Sequence, residues 1–142
     1  MLNFDFYNPT RIVFGKDRLN ELDKLVPAHA NILVLYGGGS VKKFGALDNV
    51  KEALGTRKVF EFGGIEPNPA YETLEKAIEL VRKENIDFLL AVGGGSVIDG
   101  TKFVAAAVHL ENNYESCSVW CRVNDTSNAS RSRADFNNKH YT

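Results

Sequence analysis

The sequence predicts an α/β protein in which a parallel sheet is covered by helices. Three observations carry that expectation. Two short apolar runs, Asn31 to Tyr36 and Phe88 to Val92, have the length and unbroken hydrophobicity of strands buried on both faces. Each run leads into the same Gly-Gly-Gly-Ser-Val turn, first at Gly37 and again 56 residues later at Gly93. Between and after the turns the apolar residues fall at helical spacing. Strand and helix therefore alternate as in right-handed βαβ units.

Taken in order, Phe4 and Phe6, then Ile12, Val13 and Phe14, read as the two strands of an N-terminal β-hairpin turned at Asn8-Pro9-Thr10. Gly15 ends it. Leu19, Leu22 and Val26 share one helix face, and Pro27 stops that helix. The strand at Asn31 follows, and after its glycine turn Leu47, Val50 and Leu54 form the apolar face of a helix closing near Gly55. Residues 59–62 make another strand. Two of the four prolines, Pro67 and Pro69, then flank Asn68 and restrict the backbone on both sides of it. That loop serves either to aim Asn68 at a ligand or as a rigid connector capping the next helix. The helix itself spans residues 70–84, with Leu74, Ile78 and Val81 on its apolar face and Asn85 at its end.

In the second glycine turn, Gly93, Gly94 and Gly95 let the backbone bend sharply and let another molecule approach it closely. Ser96 is expected as the N-cap of the last helix, with Asp99 three residues on at capping-box spacing. Free amides at a helix start facing a glycine turn suit an anion. The bland alternative is a tight turn that binds nothing. The turn at Gly37, Gly38, Gly39 and Ser40 repeats the pattern, and all three loops, the one at Asn68 included, leave the carboxyl ends of strands, where ligands of parallel sheets gather. A phosphate-bearing ligand follows. The common Gly-x-Gly-x-x-Gly fingerprint is not met, because position 98 is Ile98.

Composition sets outer bounds. At 142 residues, with 44% hydrophobic and 25% charged residues, the chain suits one soluble domain. A net charge of -1 and the lack of a basic stripe argue against nucleic acid. No apolar run reaches membrane-spanning length and the first residues lack the basic start of a signal peptide, so a cytoplasmic location is expected. Cys117 and Cys121 form one Cys-x-x-x-Cys pair without a second, a weak metal signal.

With these residues in view, the chain resembles the iron-type (group III) alcohol dehydrogenases, in particular their NADP-dependent, aldehyde-reducing bacterial branch. The resemblance rests on Thr10-Arg11-Ile12-Val13-Phe14-Gly15-Lys16, on Tyr36-Gly37-Gly38-Gly39-Ser40-Val41-Lys42-Lys43, on the stretch from Phe62 to Pro69, and on Gly93-Gly94-Gly95-Ser96-Val97-Ile98-Asp99, which matches the family signature Gly-Gly-Gly-Ser-x-x-Asp. It covers residues 1 to about 108. It implies a Rossmann-like cofactor domain in which Gly94, Gly95 and Ser96 hold the pyrophosphate. Asp99 would order that loop, and Asn68 would lie near the cofactor. It also implies NADP(H) rather than NAD(H), since NAD-preferring members tend to carry an aspartate where Gly37 stands. Between Gly37 and Lys43 there is no carboxylate, only bare amides, Ser40 and the cations Lys42 and Lys43. The two lysines are equally readable as solvated helix positions.

After Val108 the character changes. Residues 110–142 are rich in Asn, Ser and Thr and carry no apolar period, so residues 109–142 are expected to be disordered, or the product of a shifted reading frame. The family's helical domain, with its one Asp and three His ligands for a divalent metal, is expected to be absent. Asp135 and His140 are five apart rather than four, His109 ends a helix, and His29 lies in an exposed loop. No metal ligand and no catalytic residue is assigned. The expected function is the cofactor-binding part of an NADP(H)-dependent alcohol dehydrogenase or aldehyde reductase, inactive alone, with an alcohol or aldehyde as substrate only in a complete enzyme. A homodimer through the N-terminal strands is expected. The alternatives are a non-catalytic nucleotide-binding module pairing with full-length subunits, and part of a related glycerol dehydrogenase.

Overall fold

A computed structural model describes residues 10–43, 45–111, 118–122 and 131–134. A 3-10 turn at Arg18–Glu21 leads into α1 (Leu22–Leu25). The order then runs β1 (Asn31–Tyr36), α2 (Ser40–Lys43), α3 (Ala46–Leu54), β2 (Lys58–Phe62), α4 (Tyr71–Lys83), β3 (Phe88–Val92), α5 (Gly95–Glu111), β4 (Ser118–Arg122) and β5 (Arg131–Ala134). The sheet order is β2-β1-β3-β4-β5, parallel except for the β4–β5 pair.

Every residue of β3, and every residue of β1 from Ile32 on, is buried, because helices cover both faces. On one face Leu33, Leu35, Leu89 and Ala91 pack with Leu74, Ala77, Ile78 and Val81 of α4 and Val97, Val104, Ala105 and Val108 of α5. On the other, Ile32, Val34, Phe88 and Leu90 pack with Leu22, Val26, Leu47, Val50 and Leu54. Alternation along each strand thus feeds two separate cores. The expected helix faces are the buried ones.

The helix ends follow local rules. Gly55 closes α3 with φ 62, its amide bonding the Glu52 carbonyl at 3.1 Å. Asn85, at φ 50, ends α4 in a Schellman arrangement: the Ile86 amide reaches the Val81 carbonyl at 3.0 Å and the Asn85 amide that of Arg82 at 3.4 Å. The Asp87 carboxylate then accepts the Asn31 amide at 2.8 Å, aligning the starts of β1 and β3. Gly100 allows α5 to lie close to α4, since a Cβ there would stand 3.0 Å from Cδ2 of Leu74.

Two expectations need adjustment, and the chain beyond Val108 is described only in part. The single helix after the first glycine turn is two, α2 and α3, separated by Gly45 at φ 67, a left-handed position that glycine reaches without a Cβ penalty. At the N-terminus the first half of the hairpin lies outside the described residues. Residues 11–14 form no strand among the described residues, although Val13 is buried while Ile12 and Phe14 are 69% and 62% exposed. Beyond Val108, α5 continues to Glu111, and within the segment expected to be irregular residues 118–122 and 131–134 extend the sheet. Val92 pairs with Arg122 and Trp120 with Arg133 in register. The rest of that segment, Cys117, Asp135 and His140 included, lies outside the described residues.

Candidate functional site

β1 leads through α2 and α3 to β2 on one side of it, and β2 leads through α4 to β3 on the other. The chain therefore reverses its direction of winding between β1 and β3, the place where open parallel sheets form a ligand crevice. Tyr36 and Val92, the last residues of the two strands, are register partners. The turns beginning at Gly37 and Gly93 thus leave the sheet side by side.

The loop after β2 is bonded to both turns. The Gly64 amide donates to the Gly37 carbonyl at 3.0 Å and the Ile65 amide to that of Tyr36 at 3.2 Å. Farther along, the Asn68 amide donates to Oγ of Ser96 at 3.4 Å. Asn68 itself is exposed and takes φ 52, a conformation Asn tolerates better than most residues. The three expected loops do meet at one edge.

Close approach explains some glycines and open space the others. A Cβ on Gly37 would stand 3.2 Å from the Ile65 carbonyl oxygen and 3.4 Å from Cγ2 of Val97, and one on Gly93 would stand 2.7 Å from that same methyl. Gly38, Gly39, Gly94 and Gly95 have nothing within 4 Å of an added Cβ, and the four are exposed. The inner glycine of each turn is therefore packed, and the outer two face open space.

Ser96 does not cap α5. The helix begins at Gly95, and the Gly94 carbonyl accepts the amides of Val97 at 3.1 Å and Ile98 at 3.2 Å. Winding starts two residues earlier than a Ser96 cap would place it, and the Ser96 hydroxyl accepts from the Asn68 loop instead. Asp99 is consequently one turn inside the helix and exposed, outside a capping-box position. Ser40 opens α2, its side chain lying outside the described part, and the Gly39 carbonyl accepts the Lys43 amide at 2.8 Å.

Several site features escaped sequence reading. Glu66 tethers the loop to α4: its Oε1 accepts the Ala70 amide at 3.0 Å and the Thr73 hydroxyl at 2.8 Å. The Ala70 amide is the leading reason its carboxyl lies below the usual carboxylate range. At the end of β2, Oε2 of Glu61 accepts the Tyr36 hydroxyl at 3.2 Å, and Oε1 pairs with Lys51 of α3. That bond to Lys51 chiefly lowers the Glu61 carboxyl and raises the Lys51 ammonium. Lys42 of α2 places Nζ 5.3 Å from the centre of the Tyr36 ring. A Glu spaced before a helix with Thr in its first turn could have announced the first feature. The second joins residues distant in sequence and left no local signal.

Among the described residues no group of three His, Cys, Asp or Glu side chains could hold a metal ion. His29 is exposed and His109 lies in the last turn of α5. Nor is any helix among them long and apolar enough to cross a membrane.

The family model of the iron-containing alcohol dehydrogenases matches residues 9–133. The chain belongs to that family. The match runs past residue 108, where the resemblance was expected to stop, and takes in β4 and all of β5 but Ala134. The chain is 57% identical over 115 residues to the NADPH-dependent aldehyde reductase YqhD of Escherichia coli K12, covering 81% of this chain and 30% of that protein. It is 49% identical over 116 residues to the probable NADH-dependent butanol dehydrogenase 2 of Bacillus subtilis, again over 80% of this chain and 30% of the relative. The crystal structure of E. coli YqhD superposes with a TM-score of 0.79 at 50% identity, over 84% of this chain and 34% of that one. The chain thus spans about a third of the length of the relatives it matches.

Proposed function

We propose that the crevice between the turns at Gly37 and Gly93 seats NADP(H), and that this chain is the cofactor-binding part of an alcohol dehydrogenase or aldehyde reductase. The observation that carries the reading is the side-by-side exit of two glycine turns from register partners Tyr36 and Val92, each with free space beyond its outer glycines. Gly94, Gly95 and Ser96 hold the pyrophosphate, and the amides at the start of α5 compensate its charge. Asn68, fixed against Ser96, lines the crevice, and Asp99 supports the loop from within the helix. Gly37, Gly38, Gly39 and Ser40 receive the adenosine end. NADP(H) is favoured over NAD(H) because no carboxylate lies between Gly37 and Lys43 and Lys42 stands beside the turn. The bound nicotinamide supplies hydride chemistry for an alcohol–aldehyde pair.

The family's divalent metal does not fit the described donors, and no step is derived through it. Alcohol or aldehyde turnover, a cytoplasmic location and pairing of subunits through the N-terminal segment, where Ile12 and Phe14 are exposed, belong to the same proposal for the whole protein. No turnover is expected of the chain by itself.

Gly39→Val and Gly94→Val supply the test. Both side chains would enter free space at ordinary φ, so the melting temperature should be kept while NADPH binding, measured by calorimetric titration, falls about tenfold or more. Undiminished binding in both variants would refute the placement.

A further inference from the structure

Glu61 lies one residue before the end of β2, and both its carboxylate oxygens are engaged on the edge beside the first glycine turn. Oε1 takes the Lys51 ammonium and Oε2 takes the Tyr36 hydroxyl. The Tyr36 ring occupies the space where a Cβ on Gly63 would fall, and Lys42 lies over that same ring. One residue after Tyr36 comes Gly37, whose carbonyl holds the Gly64 amide. A carboxylate, two ammonium groups and a phenol are thus linked across β1, β2, α2 and α3 at the entrance to that turn.

We propose that this cluster is a specificity determinant: Lys51 neutralises Glu61, which the Tyr36 hydroxyl holds in place, so that the adjoining turn accepts an adenosine 2′-phosphate, with Lys42 as the remaining counter-charge. The inference rests on the crevice being the cofactor seat. A free carboxylate within a Debye length of about 8–10 Å repels a phosphate, whereas a carboxylate paired with an ammonium presents only a dipole. Removing Lys51 restores the full negative charge and leaves Lys42 to offset it. The nicotinamide, pyrophosphate and inner ribose bind elsewhere in the crevice, so a cofactor without the 2′-phosphate senses the change far less. The cluster is the structural counterpart of the missing acid at Gly37: the neighbouring acid is present and masked.

The test is titration of NADPH and of NADH into the wild-type chain, Lys51→Met, Glu61→Gln and the double variant, with thermal unfolding recorded for each. Lys51→Met, which keeps an apolar stem, should weaken NADPH about three- to tenfold and leave NADH within about twofold, as one surface charge near a phosphate allows. Glu61→Gln should preserve NADPH affinity, and the double variant should restore the wild-type ratio. The loss should shrink at high salt. Parallel weakening of both cofactors, an unchanged ratio, or a double variant that stays impaired would each overturn the inference while leaving the crevice reading standing. A wild-type chain that binds neither cofactor would overturn both.

Discussion

A methyl placed on Gly93 would stand 2.7 Å from Cγ2 of Val97, inside the turn, whereas one on Gly94 would meet nothing within 4 Å. Neighbouring glycines therefore answer to different constraints. Gly93→Ala should destabilise the chain by about 1–3 kcal/mol, since Val97 is buried and has little room to yield. Gly94→Ala should leave thermal stability nearly unchanged. Chemical denaturation of the two variants side by side checks this. The run of three glycines was visible in the sequence, but its division into a packed residue and two open ones depends on the branched side chain at position 97. Ser96 makes the same point. A Ser after glycines has the composition of an N-cap, yet the helix starts at Gly95 and the hydroxyl is taken by the Asn68 amide from another loop.

Elements are joined most densely at Arg57, whose side chain is only 9% exposed. Its guanidinium donates to the carbonyls of Pro27 at 3.0 Å, Leu54 at 2.8 Å, Asp23 at 2.8 Å and Val26 at 3.0 Å, and to the Asp23 carboxylate at 2.7 Å. It thereby ties the ends of α1 and α3 to the start of β2, saturating the planar fork that distinguishes Arg from Lys. Arg57→Met should cost about 1–3 kcal/mol in urea unfolding, and Arg57→Lys should recover only part of it, because carbonyls at two helix ends lose donors in both. The strands at Asn31 and Phe88, the helix faces of α3 and α4 and the stop at Gly55 were legible beforehand, since each follows from local periodicity or a local breaker. Arg57 was not legible, because its partners lie in α1, the loop after it and α3. The strand β4 was equally hidden: the short run Ser118–Arg122 pairs with β3 through its backbone, and the polar residues around it left no apolar period to mark a strand.

Across the whole molecule, charge engagement sets the response to pH. The carboxyls of Glu61 and Glu66 are lowered, so their contributions are present above the ordinary carboxylate pKa and vanish as pH falls through their folded values. The Lys51 ammonium is raised, so its contribution is fully present below the ordinary lysine pKa and is lost as pH climbs through its raised folded value. Both partners of the Lys51–Glu61 pair are substantially exposed, with side chains 42% and 32% accessible, which limits the pair to at most about 1 kcal/mol. Thermal unfolding should show a flat optimum across neutral pH, a decline below about pH 4 and a smaller one above about pH 10. Lys51→Met should flatten the alkaline decline and leave the Glu66 part of the acid decline in place.

Among the described residues β2 has a strand on one side only, which leaves a row of backbone donors and acceptors open to another chain. Its exposed positions carry Lys58, lying over the Phe60 ring at 4.9 Å, and Glu61, pinned by Lys51. Opposite charges held along such an edge discourage a second copy from docking in register, because a desolvated ammonium and carboxylate would have to be buried with it. Lys58 and the Lys51–Glu61 pair are thus expected to act as gatekeepers against sheet-to-sheet aggregation. Adapting this edge to a different nucleotide by exchanging Lys51 or Glu61 for apolar residues would therefore draw on the solubility of the protein as well as its selectivity.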